Sequence, residues 1–193
     1  MKVLFLGYAD CPLIGFLQAR GCAVVCRQDK ITPEWVVEEG CEFLVSYGYR
    51  HLIRKPVLDL FGARAVNLHI SLLPWNRGSD PNLWSVIDDT PKGVTIHLLE
   101  EGLDTGPILF QRKLEFANSE TLASSYAKLR MALEDLFMQS WDALATGSCE
   151  ATPQPAQGTA HRAADKQDFL QRLPAGFDTP LSEVRRFAQE FFR

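Results

Sequence analysis

Two hydrophobic periods alternate along the first 146 residues, and they separate strands from helices. MKVLFLG is apolar on both faces up to Gly7, the pattern of a buried parallel strand. Residues 12–20 predict a helix closed by Gly21, CAVVCR a second strand, and Pro33 opens a short helix through Glu39. CEFLVSYGY predicts a third strand running into a loop. Residues 55–60 fit a short helix stopped by Gly62, and ARAVNLH predicts a fourth strand. A helix over 81–87 comes next, then two strands, GVTIHLLE and ILFQRKLEF. Residues 119–146 predict a long amphipathic helix with Ser119 as N-cap and Gly147 past its end. Leu122, Tyr126, Leu129, Leu133, Leu136 and Phe137 recur at helical spacing and form its core face.

That order predicts an α/β fold, doubly wound, with a twisted and mostly parallel sheet covered by helices on both faces. Such sheets bind ligands at the carboxyl ends of their strands, where strand order reverses. The composition changes near residue 150. ATPQPAQGTAHRAA is rich in Pro, Ala and Gln and predicts an extended surface segment. DFLQRL and LSEVRRFAQEFF predict short helices, the second apolar at Leu181, Val184, Phe187, Phe191 and Phe192. The expected division is a catalytic domain over 1–150 and a short C-terminal appendage over 151–193, docked on the core.

With 193 residues, the chain is large enough for one domain with a substantial core. Its 20 Lys and Arg against 24 Asp and Glu leave a net charge of −4, no electrostatic footprint for nucleic acid. No apolar run approaches the roughly 20 residues a bilayer requires, so no membrane partner is expected. Lys2 leads straight into VLFLGYA with no cleavage-site pattern after it, so no secretory leader is expected either. The five cysteines lack metal-ligand spacing and read as reduced structural thiols, consistent with a cytoplasmic compartment.

NLHISLLPWNRGSDP, over 67–81, departs from generic patterning. Asn67 and His69 are two apart on the fourth strand and leave it on one face. Pro74 forces loop after them. An amide can donate to a developing oxyanion, and an imidazole can donate or shuttle a proton. A turn-capping Asn67 and a satisfied buried His69 would explain the same residues. In VTIHLLEEGLDTGPIL, Asp104 precedes Thr105, Gly106 and Pro107. Ordinary turn chemistry accounts for it, and so does a carboxylate that orients His69.

Together these segments resemble the folate-dependent formyltransferases, whose members include methionyl-tRNA formyltransferase, glycinamide ribonucleotide transformylase and sugar-amine formyltransferases. The matching residues are Asn67, His69, Ser71 to Pro74, Arg77-Gly78, Gly93-Val94-Thr95, His97 and Leu103 to Gly106, within a likeness over about residues 1–150. Ile70 departs from the proline or small residue common there. The resemblance implies the Rossmann-like formyltransferase fold, 10-formyltetrahydrofolate as cosubstrate, no metal, and a primary amine as acceptor. It implies Asn67, His69 and Asp104 as the catalytic groups. Tyr49, His51, Leu52 and Ile53 would line the pterin slot, with Leu99, Glu100, Glu101, Gly102 and Leu103 closing its other side. Trp75, Asn76, Arg77, Asp80 and Trp84 would rim the acceptor.

The nearest likenesses are to sugar-amine formyltransferases and to the formylation domain of linear gramicidin synthetase. That resemblance implies an amino sugar nucleotide or an aminoacyl group on a carrier protein as the acceptor, and a homodimer stays open. Two other functions stay open as well. One is a formyltetrahydrofolate hydrolase, though those enzymes add an N-terminal regulatory domain and here a strand opens at Met1. The other is a nucleotide-binding module without catalysis.

Overall fold

The computed structural model describes residues 1–192. Eight strands run in chain order: β1 (Lys2–Gly7), β2 (Ala23–Arg27), β3 (Phe43–Tyr47), β4 (Ala65–His69), β5 (Arg77–Gly78), β6 (Lys92–Leu98), β7 (Ile108–Leu114) and β8 (Ala160–His161). The α-helices are α1 (Pro12–Ala19), α2 (Pro33–Glu39), α3 (Lys55–Phe61), α4 (Pro81–Ile87), α5 (Leu122–Thr146), α6 (Gln167–Arg172) and α7 (Leu181–Phe191). Six strands form one sheet in the order β2-β1-β3-β4-β6-β7, and the ladders β1–β2, β1–β3 and β3–β4 are parallel. The mostly parallel α/β sheet predicted from the apolar runs is thus the one observed. A second, two-stranded parallel sheet joins β5 and β8.

Local chemistry explains the boundaries. Pro33 supplies a preset φ at the first turn of α2, and Thr32 Oγ1 accepts from Trp35 N at 3.3 Å. Gly40 closes that helix at φ 61°. The third strand is shorter than CEFLVSYGY suggests. Gly48 adopts φ 71°, and a side chain there would collide with the Tyr8 ring. The long helix starts at Leu122, so Ser119 is not its cap. Thr121 takes that place: Ser124 N donates to Thr121 Oγ1 at 3.1 Å, and Thr121 N donates to Ser124 Oγ at 2.9 Å. This reciprocal pair has the logic of a capping box with a serine in the acidic position.

The chain divides into two compact units, Met1–His69 with Ile96–Phe110 and Glu134–Gln154, and Ile70–Thr95 with Gln111–Leu133 and Pro155–Arg193. In the first, Leu4, Leu6, Leu44, Val57 and Phe61 build a buried cluster under α2 and α3. Phe43 meets Trp141 edge-on at 5.4 Å, and Tyr47 donates to Glu134 Oε1 at 3.0 Å. Each large apolar side chain buried this way stabilises by about 1.5–3 kcal/mol. In the second unit, Leu83, Val86, Leu122, Phe169, Leu181 and Val184 form their own cluster. The apolar face read in LSEVRRFAQEFF docks there, helped by Leu181 N donating to the Glu120 carbonyl at 2.7 Å.

Candidate active site

The first unit brings an amide, two imidazoles and one carboxylate together. Asn67 and His69 come from the end of β4, His97 from the end of β6, and Asp104 from the turn between β6 and β7. Leu99 N donates to the Ala65 carbonyl at 2.8 Å, which ties the start of that turn to β4. Leu98 N donates to the Pro107 carbonyl at 2.9 Å and closes it. Asp104 sits at φ 54°, a left-handed conformation an aspartate tolerates better than most residues. Gly106 is required, because a Cβ there would collide with the Leu98 carbonyl oxygen. From far along the chain, Gln154 Nε2 donates to the carbonyls of Asp104 and Gly106, each at 2.8 Å. One side-chain amide therefore clamps the turn that presents the carboxylate.

Asp104 Oδ1 accepts from Asn67 Nδ2 at 3.0 Å and lies 3.5 Å from His97 Nε2, while Oδ2 lies 3.5 Å from His69 Nδ1. His97 Nδ1 is 2.8 Å from the Leu98 carbonyl oxygen, which can only accept, so Nδ1 carries a proton. In the neutral ring Nε2 is then an acceptor, and it takes a hydrogen from Asn67 Nδ2 at 3.2 Å. Both amide hydrogens of Asn67 are engaged, one by His97 and one by Asp104. Only 12% of the Asp104 side chain is exposed, and His69 and His97 are buried. A carboxylate so placed can accept from His69 Nδ1 and orient that ring, while His97 is held by the Asn67 amide and the Leu98 carbonyl.

Next to this cluster in sequence, α3 and the β6–β7 turn enclose a groove of about 630 Å³, lined by Lys55, Leu58, Asp59, Leu99, Glu100 and Glu101 among others. Gly102 also lines it. Tyr49, His51, Leu52, Ile53 and Leu103 do not. Ile53 is buried in the core cluster, whereas Leu52 and Leu103 are about half exposed. Tyr49 donates its hydroxyl to the Asp29 carbonyl at 2.7 Å, and burial pushes its phenol above the ordinary value. Its ring meets His51 edge-on at 5.3 Å. A hydrogen bond to Asp59 raises the Lys55 ammonium.

Trp75, Asn76, Arg77, Asp80 and Trp84 all belong to the second unit. Asn76 is fully buried: its N–H donates to Thr159 Oγ1 at 2.8 Å, and its Oδ1 accepts from Thr90 at 2.6 Å. Trp84 is buried and stacks on His161 with ring centres 3.9 Å apart. Trp75, Arg77 and Asp80 are partly exposed. Sequence reasoning gave no role to His97, Gln154 or α3. His97 matches the family pattern without a role attached to it, and neither Gln154 nor α3 leaves a comparable signal.

A family model described as formyl transferase matches residues 21–140. The chain belongs to the formyl transferase family. Among its relatives, it is 33% identical to dTDP-4-amino-4,6-dideoxyglucose formyltransferase of Mycobacterium bovis, over 81% of this chain and 68% of that one. It is 37% identical to methionyl-tRNA formyltransferase of Myxococcus xanthus over 76% of its own length, but spans only 48% of that protein. Among solved formyltransferases, PseJ from Anoxybacillus kamchatkensis was crystallised with UDP-4,6-dideoxy-4-formamido-L-AltNAc and tetrahydrofolate. This chain matches it with a TM-score of 0.93 and 41% identity, covering 98% of this chain and all of that one.

Proposed function

We propose that this protein is an N-formyltransferase that moves a formyl group from 10-formyltetrahydrofolate to a primary amine on a nucleotide-linked sugar. The observation that carries it is the single Asp104 carboxylate within 3.5 Å of both imidazoles and 3.0 Å of the Asn67 amide. The likeness to PseJ supports the donor and narrows the amine to an amino sugar.

The residues present fit a folate donor. The groove of about 630 Å³ lies within the range of small-molecule sites, with Leu58, Leu99 and Pro107 offering apolar wall to a flat bicycle. Glu100, Glu101 and Asp59 line the same groove and can accept from ring nitrogens. The donor supplies the formyl carbon. Asn67 and His69 would donate to the formyl oxygen as it gains negative charge, each such donor being worth about 3 kcal/mol. Because Asn67 spends both amide hydrogens on His97 and Asp104, it must give one up to do so. Asp104 would hold His69 in orientation and take part in removing the proton from the attacking nitrogen. Trp75, Arg77 and Asp80 remain the proposed acceptor contacts.

Residues 1–150 would carry this chemistry, with 151–193 supporting it. We place the protein in the cytoplasm, in keeping with its five free cysteines, and no helix among the described residues is long and apolar enough to cross a membrane. Self-association through the exposed Phe177 and Phe192 is a separate proposal for sedimentation to read.

The test supplies 10-formyltetrahydrofolate with UDP- and dTDP-linked amino sugars in one set and carrier-bound aminoacyl groups in another. Mass spectrometry reads the gain of one formyl group. Formylation of a sugar amine is expected. Formate release at an equal rate without any amine would instead mark a hydrolase.

A further inference from the structure

Arg27 is the last residue of β2, in register with Leu6 of β1, at the carboxyl edge of the parallel ladders. Its guanidinium carbon stands 4.8 Å from the centre of the Trp35 ring. Its Nε is buried and has no hydrogen-bond partner, and among the described residues no carboxylate pairs with the group. Three other arginines differ. Arg20 pairs with Asp142, Arg112 donates to the Ala132 carbonyl, and Arg185 engages Asn118 and Asp89. The surroundings of Arg27 are fixed, because Ile31, Trp35 and Tyr49 all pack against the buried cluster of the first unit.

An arginine laid on an indole keeps its stem ordered, a contact worth about 0.5–2 kcal/mol, while its planar donor fork stays available. A fork without a counter-ion at the carboxyl end of a parallel strand is suited to a ligand anion held through two parallel N–H···O bonds. Two anions could arrive there, a carboxylate of the folate donor or the diphosphate of the nucleotide sugar. Charge favours the carboxylate. One guanidinium balances one negative charge, and the Asp29 carboxylate nearby is felt by the Tyr49 phenol and would repel a diphosphate. Position favours it too. Arg27 acts electrostatically on Tyr49, in the loop that the family resemblance gives to the donor, and Trp35, Tyr49 and the groove residue Leu99 pack against the same buried cluster.

We propose that Arg27, seated on Trp35, is an anion site for a carboxylate on the glutamyl tail of the folate donor; this rests on the donor assigned under the proposed function. The test is calorimetric and needs no turnover. Tetrahydrofolate and its des-glutamyl counterpart, tetrahydropteroate, are titrated into the full chain, into Arg27→Met and into Arg27→Lys. The unaltered protein is expected to bind the glutamyl ligand about tenfold more tightly, the order of one charge-assisted pair partly open to water. Arg27→Met should bring that ratio to about one, and Arg27→Lys, with charge but no fork, should keep only part of it.

A tenfold ratio that survives in Arg27→Met overturns the proposal. So does a variant that loses affinity for uridine diphosphate but not for the glutamyl tail. If the unaltered protein binds both pterins equally, the anion site fails and the donor stands. If it binds neither, the donor assignment fails first.

Discussion

Two groupings of histidine with aspartate occur among the described residues, and the shorter contact belongs to the one outside the proposed chemistry. In the second unit, His161 Nε2 meets Asp88 Oδ2 at 2.7 Å, and the imidazole lies flat on Trp84 with an interplanar angle of 4°. In the first, His69 Nδ1 and His97 Nε2 each lie 3.5 Å from an Asp104 oxygen. Distance alone would choose the wrong pair. The His161 pair is closed, with one ring, one carboxylate and a stacking partner. It locks β8 beside β5, where Ser79 N donates to the His161 carbonyl at 3.0 Å. The Asp104 group is shared, as one carboxylate and one amide together face two rings drawn from two strands. Sharing leaves hydrogen bonds that can be exchanged when a substrate arrives, whereas the His161 pair is spent on holding β8 beside β5.

The sharpest way to break this comparison is Asp104→Asn, which keeps shape and removes charge. The rate constant for formyl transfer should fall by about 10²–10⁴, the span of a lost general acid–base group, with the thermal midpoint nearly unmoved. Steady-state kinetics beside a thermal melt reads both. Activity within tenfold of the unaltered enzyme would put the two groupings on an equal footing.

A smaller effect is expected from Gln154→Met, which deletes both bonds to the Asp104 turn while preserving length. Misplacing a reacting group by about 1 Å can cost up to 10²-fold. Since the left-handed Asp104 backbone and the Leu98–Pro107 closure remain, about tenfold is expected, in kcat rather than in KM for the amine. An equal loss in KM would mean that Gln154 shapes the acceptor site instead.

Gln154 also shows where sequence reading stops. The parallel sheet was legible because burial on both faces leaves unbroken apolar runs such as VLFLG and FLVSY. Asn67, His69 and Asp104 were legible as a resemblance in spacing. A glutamine bonded to carbonyls 48 and 50 residues away leaves no local period, and its segment looked like a Pro- and Gln-rich connector. The groove beside α3 was hidden for a similar reason, since Lys55, Leu58 and Asp59 read as one turn of an ordinary surface helix. Asn76 and Trp84 were placed on the acceptor rim by the resemblance, but burial is set by partners such as Thr159 and His161 from the distant C-terminal segment. The cap at Thr121 rather than Ser119 turned on two reciprocal bonds, each from a backbone N–H to the hydroxyl of the residue three positions away.

The smallest effect on turnover should come from the shorter pair. His161→Gln removes the ring from the face of Trp84 and weakens the bond to Asp88. A hydrogen bond to a charged group contributes about 1.5–3 kcal/mol and an aromatic contact about 0.5–1.5 kcal/mol. Asp88 keeps about a quarter of its side chain in water and the amide can still donate, so the net loss should be nearer 1–2 kcal/mol. Chemical denaturation should show this as a lower midpoint with an unchanged slope. Formyl transfer at saturating substrates should fall by no more than about threefold, because the ring supplies packing and not a proton. A fall of about 10² with stability intact would reverse the comparison, and would require His161 to be counted with the groups that act on the amine.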